Sequence, residues 1–406
     1  MLDRTLAQAI RHVSQNFPVL MVTGPRQVGK TTLLEMCSEG NRSYVTLDDM
    51  DMRRLAQQDP ALFLQTWPAP VTIDEVQYAP QLFSAIKMAV DKDPRNGQFW
   101  LTGSQKFQLM QGLTESLAGR VAIVDLLGLS QAEQQGRAKQ SQAFIPTPEW
   151  IAQARALAKP MTLKALYAQI WMGSYPRLQT QGEQSRDVFY RSYVQTYVQR
   201  DVRELLKVSD PLSFHRFLGV VAARTGQLLN YANLANELDI DTKTAKAWLS
   251  VLEASGLVYL LQPYHRNLTK RMLKSPKLYF LDTGLAAYLT KWSTPEALEA
   301  GSMSGAILET WAVAEILKSY WHNGKEAPLY FYRDTDQKEI DLLIESDDVI
   351  YPIEIKKTGT PSTQASKAFA AAAHLGKTVG PGAVLCLTPR DVPLSDSVTA
   401  IPMGYL

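Results

Sequence analysis

Cysteine is scarce in this 406-residue chain: there are two, Cys37 and Cys386, each in a separate apolar segment. Neither belongs to a CxxC pair or a Cys/His spacing, which excludes a zinc site of the usual kind and leaves two thiols expected to be buried. An excess of one charge is also missing, since 42 Lys and Arg face 40 Asp and Glu, for a net charge of +2. So mild a balance decides nothing about nucleic acid, and any such partner has to be read from a local module. Long hydrophobic runs are absent too: AFAAAAHLG at 368–376 falls far short of the roughly 20 residues that a membrane span requires, so no membrane partner is expected. The first residues, MLDRTLAQAIRHVSQ, mix charge into an amphipathic pattern without the apolar core of a secretion signal, and they read as an exposed helix of a cytoplasmic protein.

What is present is ordinary globular material. Hydrophobic residues make up 46% and charged residues 20%, which excludes a largely disordered chain. The length exceeds what one compact core holds, and two to four domains of roughly 100–200 residues are expected.

The N-terminal third carries the clearest chemistry. FPVLMVTG is a continuous apolar run that suits a buried parallel strand, and GPRQVGKTT follows it into a helix. Gly24, Pro25, Arg26, Gln27, Val28, Gly29, Lys30, Thr31 and Thr32 thus form a phosphate loop, in which small residues let backbone N–H groups wrap phosphates. Lys30 is expected on the β/γ-phosphates and Thr31 on magnesium. In PAPVTIDEVQ a short strand ends at Asp74 and Glu75. An acidic pair after a strand is common and often structural, but behind a phosphate loop it gains a task. Asp74 holds the magnesium shell and Glu75 orients or activates the attacking water. QFWLTGSQ is a further strand that ends in polar residues, with Ser104 as a candidate sensor that bonds the γ-phosphate or the water and Thr102 as a lesser one, against the plainer reading of a strand ending in a turn. Arg120 in ESLAGRVAIVDLLGLS is the candidate to reach a neighbouring subunit's nucleotide, against the alternative of a surface arginine paired to a carboxylate.

GPRQVGKTT, IDEVQ, LTGS and LAGR in this order resemble the AAA+ ATPases, and specifically a prokaryotic ATP-binding family whose likeness covers the whole chain. The resemblance implies ATP with magnesium rather than GTP, and the guanine-reading NKxD pattern is absent as well. It implies assembly into a homo-oligomeric ring, such as a hexamer, and a C-terminal region of undescribed function. It also places a helical lid at about 161–220, where WMGSYPR is similar to the family's GGYPR segment and Arg177 is a candidate second sensor, though a serine stands for one glycine.

The remaining chain divides further. Residues 131–160 are polar and poor in periodicity and read as a linker or extended surface segment. FYRSYVQTYVQRDVRELL sets Tyr190, Tyr193 and Tyr197 on one helical stripe ahead of Arg200 and Arg203, a pattern that core packing explains better than base stacking. YANLANELDIDTKTAKAWLSVLEASG reads as helix–turn–helix with Asp241 as a cap, Gly256 as a stop, and Trp248 and Leu249 in the core. The following basic hairpin resembles the wing of a winged-helix domain, with Arg266, Lys270, Arg271, Lys274 and Lys277 available for DNA phosphates and Lys243, Thr244 and Lys246 facing a groove. A protein-docking role is the other use of such a module.

Near the C-terminus, GAILETWAVAEILKSY puts Glu309 on the face of Val313, Ile316 and Tyr320, an odd place for a carboxylate. Two strands joined by a turn at Glu345–Asp348 set Asp341 opposite Ile340 and Leu342, and Glu354 beside Lys356. Glu309, Asp341, Glu354 and Lys356 therefore resemble the acid-and-lysine core of restriction-endonuclease-like enzymes. A charged hairpin beside an amphipathic helix is the plainer reading. The chain is thus expected to be α/β: an AAA+ ATPase core at 1–130, linker and lid at 131–220, a winged helix at 221–290 and a nuclease-like domain at 291–406. The preferred activity is an ATP-driven motor that remodels DNA, branched DNA included. The alternative is an ATP-dependent signalling or defence switch acting through a protein partner.

Overall fold

The structure, a computed structural model, describes residues 2–38, 40–104, 116–159, 161–198, 211–265, 275–334 and 336–406. The fold is mixed α/β, with a parallel sheet in the N-terminal third and a separate mixed sheet at the C-terminus. In chain order the first part contains α1 (Leu6–Ser14), β1 (Val19–Thr23), α2 (Lys30–Cys37), β2 (Ser43–Thr46), α3 (Met50–Gln58), α4 (Pro60–Thr66), β3 (Val71–Asp74), α5 (Leu82–Lys92), β4 (Phe99–Gly103) and β5 (Val121–Asp125). These strands form one parallel sheet in the order β2-β3-β4-β1-β5. Every residue of β1 is buried, as a central parallel strand covered on both faces requires. Because β4 lies between β1 and β3, its polar end falls between the phosphate loop and the acidic pair.

Two expectations from the sequence are corrected here. Helix α1 is exposed on one face only: Gln8, Arg11 and His12 face solvent, while Leu6 and Ile10, one turn apart, are fully buried and the helix packs on α2. Nor are residues 131–160 an extended surface linker. After β5, Ser130 and Glu133 close a reciprocal capping box at α6 (Gln131–Gln134), and Gln131, Ala132 and Glu133 are buried. The segment continues through α7 (Pro148–Leu157) and lies along a later helix, with Phe144 bonded at both its N–H and its carbonyl to Ser319 and Tyr320. Polar composition suggested solvent; Ser130 and Glu133 instead bond each other, and Gln131 bonds Glu315 and the Gly404 carbonyl.

The middle of the chain is helical: α8 (Leu163–Met172), α9 (Pro176–Gln181), α10 (Arg186–Tyr193) and α11 (Pro211–Ala223). Tyr175, Phe189, Tyr190 and Tyr193 pack ring against ring, so the described part of the tyrosine stripe is core. The side chains of Tyr197, Arg200 and Arg203 lie outside the described residues. Next come β6 (Gln227–Leu228), α12 (Tyr231–Leu238), α13 (Thr242–Ala254), β7 (Val258–Leu261) and β8 (Lys277–Phe280), with an antiparallel sheet ordered β6-β8-β7. Asp241 caps α13 by accepting from the Thr244 N–H, Gly256 ends it at φ 67°, and Trp248 and Leu249 are buried.

The last part contains α14 (Thr283–Leu289), α15 (Pro295–Ala300), α16 (Ser304–Trp321) and strands β9 (Leu329–Arg333), β10 (Glu339–Ser346), β11 (Val349–Ile355), β12 (Thr378–Val379), β13 (Gly382–Cys386), β14 (Val392–Pro393) and β15 (Val398–Pro402). Their sheet runs β14-β15-β13-β11-β10-β9, with β12 on β11. The β10–β11 hairpin turns at Asp347 and Asp348, within the turn read from the sequence. Helix α16 is buried along nearly its whole length, and both cysteines are buried thiols.

Candidate functional site

The phosphate loop leaves β1 through Gly24 at φ 140°, where an added Cβ would come within 2.0 Å of the Leu126 carbonyl oxygen, so only glycine fits. The loop re-enters helix at Gly29, φ 90°, which is the left-handed N-cap of α2. Buried Lys30 donates to the carbonyls of Gly24 and Pro25 at 2.9 and 2.8 Å, curling back over the loop it serves. Gln27 and Glu75 hold positive φ of 63° and 55° without being glycine, backbone strain of about 1–3 kcal/mol each of the kind concentrated at working sites.

Around Asp74 the structure gathers hard oxygen atoms. Thr31 Oγ1 donates to Asp74 Oδ1 at 2.9 Å, the Thr102 hydroxyl donates to the same oxygen, and Tyr44 donates to Oδ2 at 3.1 Å. Burial, with the Asp74 carboxylate beside it, pushes the Tyr44 phenol well above its ordinary range. The Glu75 N–H donates to Thr102 Oγ1 at 3.1 Å, so one β4 hydroxyl fixes both acids. The Glu75 carboxylate faces Arg26 at 3.9 Å and accepts from Ser104 at 3.3 Å and from the Gln77 amide. Thr31 and Asp74 present adjacent hydroxyl and carboxylate oxygen, the donor set a magnesium ion prefers.

Arg120 is placed elsewhere. It precedes β5, and its carbonyl accepts from Val19 N–H at the start of β1, the opposite end of the strand from the phosphate loop. At about 3.3 Å per residue, the length of β1 puts it roughly 15 Å from its own cradle. Its guanidinium is bound to Asp91 at 2.6 Å. Arg177 is exposed, bonds Gln181, and lines with Gln27 a cavity of about 330 Å³.

The C-terminal set does come together, but with company the sequence did not announce. Asp341 accepts from Ile355 N–H at 2.9 Å and lies 3.8 Å from Lys356, which also pairs with Glu354. Burial, reinforced by Asp341, raises the Glu354 carboxyl to about 7, and its Oε2 has no hydrogen-bond partner among the described residues. Glu309 accepts from Tyr279 at 2.6 Å and from Lys277 at 3.0 Å, and burial raises its carboxyl as well. Lys277, expected on DNA phosphate, is instead 3% exposed and paired to Glu309 and Glu339 at 3.0 and 2.5 Å. Its position is a correction: β8 is the central strand of its sheet, so this side chain is carried inward to the acids. Arg266, Lys270, Arg271 and Lys274 lie outside the described residues. Among the described residues no group of three or more His, Cys, Asp or Glu converges as metal ligands.

A second buried polar cluster escaped the sequence entirely. Arg4 donates to the Val28 carbonyl of the phosphate loop at 2.8 Å, to the Leu127 carbonyl at 2.8 Å and to Glu133 at 3.1 Å. His322, at the end of α16, accepts from Leu127 N–H at 3.2 Å and lies 3.4 Å from Glu133. The only available signal was the S-x-x-E spacing at Ser130–Glu133, which announces a helix start and not a buried charge.

This sheet order and phosphate-loop geometry define a P-loop ATPase of the AAA+ type, and a model described as an AAA domain matches residues 16–135. The chain belongs to the same family as Uncharacterized protein Rv2008c of Mycobacterium tuberculosis and Uncharacterized protein Mb2031c of Mycobacterium bovis, being 30% identical to each over 407 residues, 99% of this chain and 84% of either relative. Residues 163–296 match a domain of unknown function (DUF8612) and residues 304–406 another (DUF4143). Among solved structures, the Walker-type ATPase PABY2304 of Pyrococcus abyssi aligns with TM-score 0.46 and 16% identity, over 71% of this chain and 96% of its own. A point variant of Thermotoga maritima RuvB aligns with TM-score 0.30 and 17% identity, over 63% and 87%. No helix among the described residues is long and apolar enough to cross a membrane.

Proposed function

We propose that the chain is an ATP-hydrolysing motor that binds magnesium-ATP, assembles into a ring and remodels DNA through its helix–turn–helix and wing. Lys30 and the α2 N-terminus neutralise the triphosphate, and Thr31 and Asp74 hold magnesium, which supplies further charge neutralisation when bound. Glu75 takes a proton from water as the water oxygen bonds the γ-phosphorus and the β–γ bridging bond breaks, giving ADP and phosphate. Ser104 orients Glu75, and Arg120 serves a neighbouring subunit, since it stands far from its own cradle. Lys243 and Lys246, both exposed on α13, face a DNA groove, and the basic residues of the wing meet phosphates; the Thr244 hydroxyl is already bonded to Asp241.

The observation that carries this reading is a contact between motor and reader: Pro25 of the phosphate loop abuts Gly256, where an added Cβ would lie 3.0 Å from the proline ring. Beside that contact lies a cavity of about 460 Å³ lined from both sides, by Gly24, Asp125 and Leu127 and by Glu253 and Tyr259. A change of loop shape on nucleotide binding is therefore felt by the DNA-reading helix. ATPase rates measured with single-stranded, duplex and junction DNA, with mass measured under nucleotide, test it. Stimulation by DNA and binding that weakens steeply with salt are expected, each phosphate contact adding about 0.9 to the log–log salt slope.

Rates indifferent to every DNA structure would move the assignment to an ATP-dependent signalling or defence switch acting through a protein. Lys277 favours that second reading, because it occupies the acid cluster that a nuclease would offer to metal. Wild type and Asp341→Ala compared on branched and linear DNA with magnesium or manganese decide the matter; equal cutting, or none, retires cleavage.

A further inference from the structure

The phosphate loop carries an arginine that the ATPase reading leaves without a task. Arg26 lies between Gly24 and Gly29, and its guanidinium faces Glu75 Oε1 at 3.9 Å, the two side chains only 11% and 14% exposed. The other carboxylate oxygen, Oε2, accepts from the Gln77 amide and from Ser104 at 3.3 Å. The backbone of Glu75 is pinned in the left-handed region, with its N–H on Thr102. So held, the carboxylate has a cation at one oxygen and two donors at the other. A group meant to take a proton from water is poorly placed to do so while a guanidinium stands at its open oxygen.

We propose that Arg26 is a catch on Glu75 that the γ-phosphate of ATP releases. The inference rests on the ATPase reading and deepens it. A γ-phosphate bound at this loop carries more negative charge than a carboxylate and three acceptor oxygens, and it draws the guanidinium from Glu75 Oε1. One movement then does two things. It exposes Oε1 to water, while Gln77 and Ser104 keep Oε2 in position, and it brings a positive charge to the phosphoryl group in transfer. Water oxygen bonds phosphorus, the β–γ bridging oxygen leaves with ADP, and the water proton goes to Glu75. Loss of phosphate lets Arg26 return, so ADP leaves the enzyme caught. The charge comes from the chain's own loop, while Arg120 on its distant edge is bound to Asp91.

The test compares wild type, Arg26→Ala, Arg26→Lys and Lys30→Ala for ATP turnover, and measures ATP and ADP affinity in each on a Glu75→Gln background. Arg26→Ala is expected to lower kcat about 1,000-fold with KM changed less than about fivefold, the low side of what an arginine at the transferred phosphate is worth. It is also expected to lose the preference for ATP over ADP. Arg26→Lys should recover part of kcat. An unchanged kcat in Arg26→Ala, or equal weakening of ATP and ADP, overturns the catch and leaves the ATPase reading intact. A wild type that turns over no ATP overturns both.

Discussion

At the scale of single residues, the site is a set of exchanges among few atoms. The Thr102 hydroxyl accepts from Glu75 N–H and donates to Asp74, so both acids depend on one β4 side chain. Lys30 already binds two loop carbonyls, and its move to phosphate costs those bonds but brings a positive charge onto the phosphates. Lys30→Ala is expected to abolish turnover. Glu75→Gln keeps shape and hydrogen bonding and removes the proton acceptor, so ATP should bind and persist: a steady-state rate down by about 100-fold or more with nucleotide affinity preserved, read by rapid quench and equilibrium binding. A Glu75→Gln rate equal to wild type would remove its role.

At the scale of elements, α16 and the segment after β5 are joined by charge. The Lys318 ammonium donates to the Leu129 carbonyl, Glu315 accepts from Gln131 N–H, and His322 accepts from Leu127 N–H. Burial alone raises the Glu133 carboxyl, but His322, Arg4 and the N–H groups of Thr5 and Ser130 override it and hold it well below the carboxylate range. Burial lowers the His322 imidazole, with Glu133 opposing only in part. Both shifts are downward, so the unfolded chain binds more protons at low pH. The contribution of Glu133 and His322 to stability is expected to be full at neutrality and to decline as pH falls through the unfolded histidine value of about 6.5, then again below the unfolded carboxylate value of about 4.3. Chemical denaturation at several pH values checks this. Glu133→Gln should abolish the lower step and cost about 3–5 kcal/mol at pH 7, since Arg4 is left buried without its counter-charge.

These elements also show what a single sequence discloses. The phosphate loop and the strand-end acids were legible because each is local: a strand, a few glycines and a helix start lie within a short stretch of chain. Glu133, Arg4 and His322 were not, since their meaning arises only when residues 4, 133 and 322 meet. Lys277 reads wrongly for the same reason. Its neighbours in sequence are basic, while its neighbours in space are Glu309 and Glu339. Residues 131–160 read as a linker because polar composition cannot tell water from a buried polar partner.

At the scale of the molecule, Lys277 joins β8 to the acids of the C-terminal sheet, and Pro25 meets Gly256 on the other side of the same helix–turn–helix. Gly256→Ala puts a Cβ 3.0 Å from Pro25 at a φ of 67°. It should cost about 1 kcal/mol in stability. It should also alter the response of ATP turnover to DNA while leaving nucleotide affinity within about twofold, read by thermal melting and by DNA-titrated ATPase assays. A change in affinity as large as the change in turnover would sink the coupling.

Helix α16 has 18 residues, about 27 Å at 1.5 Å per residue, and about 20 Å of that length separates Glu309 among the C-terminal acids from His322, just past its end, on the Leu127 N–H. Cleave the chain ahead of Ser304 and the nucleotide-binding third loses the imidazole under Leu127, the ammonium on Leu129 and the carboxylate that caps Gln131. The part of the chain before that helix is accordingly no detachable engine: expressed alone, it would carry an opened seam directly below the cradle that grips the triphosphate.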